Sequence, residues 1–97
     1  MLIDFNQKLF NPFSGKAIPN SDQEDSTLSD VAVQALTSQI GNEVLDGATK
    51  FSYWELAKKI NKVEVELKVE EVALIKERIG KLFPPIIVGL SYDLLES

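Results

Sequence analysis

The sequence predicts a mainly α protein: a small bundle of about four short helices with an N-terminal β-hairpin or extended arm. Three observations carry that expectation. Apolar residues recur at helical spacing from Leu28 onward, strand-friendly residues flank a cluster of turn formers before Pro19, and the chain contains neither His nor Cys. With 97 residues, folding should bury roughly 60 to 65% of the surface the unfolded chain exposes, enough for one core. The chain therefore reads as a single domain with an arm (1–19), an acidic linker (20–26) and a helical core (27–97).

In the arm, Leu2, Ile3, Phe5, Leu9 and Phe10 favour extended structure, Asn11-Pro12-Phe13-Ser14-Gly15 supplies turn chemistry, and Lys16-Ala17-Ile18 can return before Pro19. Residues 20–26 read NSDQEDS and hold no apolar anchor. Burial cannot offset their ordering entropy, so a mobile linker is expected.

The first helix should start at Thr27, with Asp30 in its first turn, and bury Leu28, Val31, Ala32, Ala35, Leu36 and Ile40 before Gly41 stops it. Residues 41–47 then connect, with Val44 and Leu45 expected on the core. A second helix over about 50–61, capped by Thr49 or Asp46, places Tyr53, Leu56, Ala57 and Ile60 on one stripe with Phe51 and Trp54 beside it. Val63-Glu64-Val65-Glu66-Leu67 alternates with period two and is expected to be an extended connector, the alternative being a short strand paired with the arm.

Val69, Val72, Ile75, Ile79, Leu82 and Phe83 predict the third helix, with acids in its first turn and Arg78 and Lys81 in its last. Pro84-Pro85 ends it. Pro85 suits the first position of a fourth helix, with Ile87, Leu90 and Leu94 on one line and Val88, Tyr92 and Leu95 on another; the β-branched run Ile86-Ile87-Val88 makes a strand the alternative. The expected core centres on Val31, Leu36, Trp54, Leu56, Ile60, Val72, Ile75, Ile79 and Leu90.

The formal charge is −5, unevenly spread. Residues 1–49 carry two lysines against seven acids, whereas residues 50–81 carry eight cations against six acids. Without His or Cys the usual general base, thiolate nucleophile and zinc ligands are missing, and no enzyme, metal or cofactor is expected. Gly89-Leu90-Ser91-Tyr92-Asp93 begins like a nucleophile elbow, but Asp93 replaces the glycine and no His can serve as base. Asp22-Gln23-Glu24-Asp25 lacks the glycine and distal Glu of a calcium loop. Glu70 and Glu71 are adjacent on a helix, so they diverge and are explained by its dipole.

Glu55-Leu56-Ala57-Lys58-Lys59-Ile60 resembles the first helix of a helix-turn-helix, yet Glu64, Glu66, Glu70 and Glu71 follow where phosphates would have to approach, which disfavours nucleic acid. The longest apolar stretch, 82–90, is too short for a bilayer, and a cytoplasmic protein is expected. Protein contact is the remaining class. Phe10 and Phe13 flank a proline at a turn where burial is geometrically hard; core positions are the leading expectation for them and a recognition patch the alternative. The fourth helix is apolar around most of its circumference, so it must be central or covered by another chain, a second copy included. The candidate partner-binding residues are Phe10, Phe13, Asp22, Glu24, Asp25, Val88, Tyr92 and Leu95.

Leu2-Ile3-Asp4-Phe5-Asn6, Gly15-Lys16-Ala17-Ile18-Pro19, the stretch from Leu28 to Leu36, Glu55-Leu56-Ala57-Lys58-Lys59-Ile60, and Glu70-Glu71-Val72-Ala73-Leu74-Ile75-Lys76 with Val88-Gly89 resemble small proteins of tailed bacteriophages and prophages. That group tends to place Ser, Thr or Asp before the Glu-Glu helix, where this chain has Lys68. The resemblance implies a phage product made in the cytoplasm of a bacterial host cell and binding a phage or host protein. An accessory or virion-assembly factor is the leading expectation, an inhibitor or modifier of a host enzyme acting through the acidic surface is the alternative, and a DNA-binding regulator follows behind both.

Overall fold

A computed structural model describes residues 1–19 and 24–96. In chain order its elements are β1 (Leu2–Asp4), α1 (Leu28–Thr37), α2 (Gly47–Ile60), β2 (Glu64–Glu66), α3 (Val69–Leu82) and α4 (Pro85–Glu96). The expected mainly α class, four helices included, is what the chain adopts.

Local chemistry explains where each helix starts. At α1 the Thr27 hydroxyl accepts from the Asp30 amide at 3.2 Å and the Asp30 carboxylate accepts from the Thr27 amide at 3.0 Å, so two orphan donors are satisfied reciprocally. Asp46 accepts from the Thr49 amide at 2.8 Å, which starts α2 at Gly47, three residues before the expected Lys50. Lys68 offers α3 no cap oxygen. Its own amide donates to the Glu71 carboxylate at 2.9 Å, the half of a capping box that a first-turn acid can supply, and the acids also suit the helix dipole.

α1 stops at Thr37 rather than at Gly41. The Ser38 amide closes the last turn on Gln34 O at 3.0 Å, and the buried Arg78 then takes the carbonyls of Ala35 (3.1 Å) and Ser38 (2.8 Å). These groups lie more than 30 residues away in sequence, and no periodicity within 27–41 reports them.

Within the alternating stretch 63–67, Glu64–Glu66 forms a short strand paired with the arm rather than a bare connector. β1 and β2 pair antiparallel with Leu2 opposite Glu66, Ile3 opposite Val65 and Asp4 opposite Glu64. The pairing continues where Phe5 N donates to Val63 O (3.0 Å) and Leu67 N to Met1 O (2.8 Å). The arm's own hairpin is present as well: Phe10 bridges Ala17, and Ile18 N donates to Leu9 O at 2.9 Å around a turn in which Gly15 adopts φ +74°.

The acidic linker ends earlier than expected. Asp25 bridges Pro19, Ser26 N donates to Ile18 O (2.6 Å), Leu9 N donates to Ser26 O (2.9 Å), and Lys8 bridges Thr27. Ser26 is buried. Two polar residues at the end of a stretch without apolar anchors are thus held by backbone bonds to the arm. Residues 20–23, Asp22 among them, lie outside the described residues.

α1 sits against α2, α3 and α4. Around it the arm contributes Ile3, Phe5 and Leu9, α2 contributes Leu56, Ala57 and Ile60, α3 contributes Val72, Ile75 and Ile79, and α4 contributes Leu95. Of the expected core, Val31, Leu36, Leu56, Ile60, Val72, Ile75 and Ile79 are buried, and Leu90 is partly buried against them. Trp54 is not in the core; it is 52% exposed. It stands two residues, or about 200°, from Leu56 around the helix, so the stripe that buries Leu56 turns Trp54 outward. Val44, expected on the core, projects into solvent at 96% exposure, while Leu45 beside it is partly buried.

Candidate interaction surface

The sequence-derived candidates fall on two separate parts of the molecule. At the arm's turn Phe13 is 90% exposed and Phe10 53%. Asn11 holds the turn by accepting from the Phe13 amide at 2.8 Å, which leaves the ring outside. Asp25 reaches the same small layer and pairs with Lys8 at 3.2 Å, and Glu24 is exposed next to it. The arm therefore carries Phe10, opposite Ala17, and Asp25, opposite Pro19, on one small layer.

The α4 candidates differ in exposure. Leu95 is fully buried, packed where α4 meets the bundle, and cannot meet a partner in the folded chain. Val88 and Tyr92 are partly buried against the core, and the Tyr92 hydroxyl donates to Lys76 O at 2.6 Å with Lys76 Nζ 5.2 Å from its ring. The apolar circumference of α4 is used inside the chain. Ser91, at the elbow-like position, is likewise buried on this helix, and its Oγ has no hydrogen-bond partner among the described residues.

The surface that sequence reasoning missed is the outer side of α2. With Tyr53, Leu56, Ala57 and Ile60 turned inward, Lys50, Trp54 and Lys58 stack at four-residue spacing on the outside, and Phe51 stands alongside at 60% exposure. Lys58 Nζ lies 5.8 Å from the Trp54 ring centroid and 3.2 Å from the Glu55 carboxylate. A signal was present in the sequence: the inner stripe of α2 was already complete without Phe51 and Trp54, which leaves two large rings with no inner position to take.

Beside this ridge a hollow of about 390 Å³ opens between the end of α1, the following segment and α2, lined by Leu36, Leu45, Tyr53 and Trp54 with Lys50 and Arg78. Its size falls in the range of small ligand pockets. Arg78 forms its floor. Both Glu43 carboxylate oxygens accept from Arg78 Nη1, at 2.8 and 2.7 Å, and the guanidinium lies 4.9 Å from the Tyr53 ring centroid. The hydrogen bonds from Arg78 hold the Glu43 carboxyl below its ordinary pKa, reinforced by the Ile40 amide donating at 3.1 Å. Arg78 and Glu43 therefore neutralise one another, and the Lys50 ammonium at the rim has no hydrogen-bond or ion-pair partner among the described residues. The hollow has an apolar side of Leu36, Leu45, Tyr53 and Trp54, a polar side of Thr37, Ser38 and Gln39, and a net positive charge.

Among the described residues no group of three or more potential ligands could hold a metal ion, and no helix is long and apolar enough to cross a membrane. Compared with family models, curated proteins and solved structures, the chain matches none.

Proposed function

We propose that this protein is a non-catalytic protein-binding module whose contact surface centres on the outer side of α2. The observation that supports the reading is the exposure of Trp54 and Phe51 on one helical face. Tryptophan is enriched among residues that dominate binding energy, and an exposed aromatic pair of which Trp54 lines a hollow is an anchor with a place to dock. The setting proposed with it is the one the resemblance implies: an accessory or virion-assembly factor of a tailed phage, working in the bacterial cytoplasm.

A second reading is favoured by the arm. Exposed Phe10 and Phe13 at its turn, on the same small layer that carries exposed Glu24 and Asp25, suit a contact with a host enzyme, which this chain would inhibit.

One experiment tests both. The parent, Phe51→Ser/Trp54→Ser and Phe10→Ser/Phe13→Ser are used as bait in phage-producing cells, after circular dichroism melts show each double variant folded. Loss of the parent's specific partner with the α2 pair alone is the expected result. Loss with the arm pair alone transfers the contact to the arm, and retention by both variants overturns both readings.

A further inference from the structure

The outer side of α2 is cationic on a protein that is not. Residues 47–62 carry Lys50, Lys58, Lys59 and Lys62 against Glu55 alone, a net +3, whereas the whole chain is −5, so the remainder carries −8. Lys59 is paired with Glu71 on the flank away from Trp54 at 3.2 Å. Lys50 and Lys58 stand on the Trp54 side, one turn before and one turn after the ring. Lys50 has no ion-pair partner among the described residues, and Lys58 holds Glu55 at 3.2 Å in an exposed pair that a stronger acidic ligand can displace.

We infer that this face binds an acidic peptide segment of a partner protein, which places an apolar side chain against Trp54 in the hollow formed with Tyr53, Leu36 and Leu45 and sets a carboxylate against each of Lys50 and Lys58. The inference rests on the protein-binding reading of α2 and adds the chemistry of the partner.

Spacing defines the segment further. Lys50 and Lys58 are separated by eight residues, or about 12 Å along the helix axis. In an extended peptide, side chains four residues apart stand about 13 Å apart on one side, and the residue midway between them shares that side. The matching pattern is acid-x-apolar-x-acid, in which all three contacting side chains face α2.

Two other occupants fit less well. A second copy docked about a two-fold axis at Trp54 would bring Lys58 of each copy against Lys50 of the other, a like-charge contact at both ends. A nucleic acid would extend beyond the α2 stripe, which is about 21 Å long, into the field of the remaining −8. A short acidic segment stays within the stripe, and charges beyond it are screened over about 8 Å at physiological salt.

The test is a selection from a displayed library of random dodecapeptides against the full chain, counter-selected against Lys50→Glu/Lys58→Glu and, separately, against Trp54→Ser. Enriched peptides should carry the acid-x-apolar-x-acid pattern. The top peptide, synthesised with a fluorescent label and followed by anisotropy, should bind Lys50→Glu/Lys58→Glu at least tenfold more weakly and should weaken with added salt. Neutral or basic peptides that still require Trp54 would overturn the acidic partner and leave the binding surface standing. Absence of enrichment, or binding indifferent to Trp54→Ser, would overturn the surface itself. Tighter binding of labelled (dT)12 than of any selected peptide, lost in Lys50→Glu/Lys58→Glu, would assign the stripe to nucleic acid instead.

Discussion

Arg78 shows how a single side chain can decide the course of the backbone. It is buried at 2% exposure, yet its donors reach Glu43, Ala35 O and Ser38 O, so it ends α1 and pins the segment after it. Removing one partner from such a cluster leaves an uncompensated charge and unpaired carbonyls, and Arg78→Met should cost about 3 to 5 kcal/mol in chemical denaturation. The linked acid effect has a definite sign. Because Arg78 depresses the pKa of Glu43 on folding, the stabilisation is complete above the unfolded value near 4.5 and is lost as pH falls through the lower folded value. Parent protein should therefore lose more stability than Glu43→Gln on acidification below about pH 5; equal losses would show that this pair does not contribute. Gly80 is a second residue fixed by its neighbour. A Cβ there would lie 2.7 Å from the Tyr92 hydroxyl, which is held by Lys76 O. Gly→Ala inside a helix ordinarily gains up to about 1 kcal/mol. Gly80→Ala should forfeit that gain in the parent and recover it in a Tyr92→Phe background, read as a double-mutant cycle in thermal unfolding.

At the scale of elements, the arm is part of the fold rather than an appendage. Phe5 and Leu9 are fully buried, β1 is paired with β2, and Ser26 is tied back onto Ile18 and Leu9. Slow amide exchange is accordingly expected at Leu9, Ile18 and Ser26, all three being backbone donors in the layer. Exchange at Ser26 as fast as in an unstructured peptide would contradict the described pairing. The two ends of α2 illustrate the balance between local and distant control. Asp46 sets its start, and lysines near its C-terminus suit the dipole, but the outward aim of Trp54 follows from which stripe packs on α1.

For the molecule as a whole, the useful distinction lies between apolar surface consumed by folding and apolar surface left over. α4 belongs to the first kind: Leu95 is buried, and Ile87, Val88, Leu90, Tyr92 and Leu94 pack on the same core. Leu95→Ala should thus destabilise by about 2 to 5 kcal/mol, the range for a large-to-small change in a packed interior. A cost below about 1 kcal/mol would instead mark α4 as a loosely held face. α2 belongs to the second kind, since Phe51 and Trp54 remain exposed after every helix has found its neighbours.

Sequence alone determined the mainly α class, Thr27 as the N-cap of α1 with Asp30 in its first turn, the helix-breaking prolines after α3, and most of the core stripe positions. Each depends on residues within about one turn of each other, where spacing and capping chemistry act directly. Tertiary structure decided the rest. It paired β1 with β2 across some 60 residues, bent the chain away from α1 through Arg78, tied Ser26 to the arm, drew Leu95 inside and left Trp54 outside. Periodicity states that a helix has an apolar side, but which of two adjoining apolar residues is buried is settled only by the neighbour that arrives to cover it.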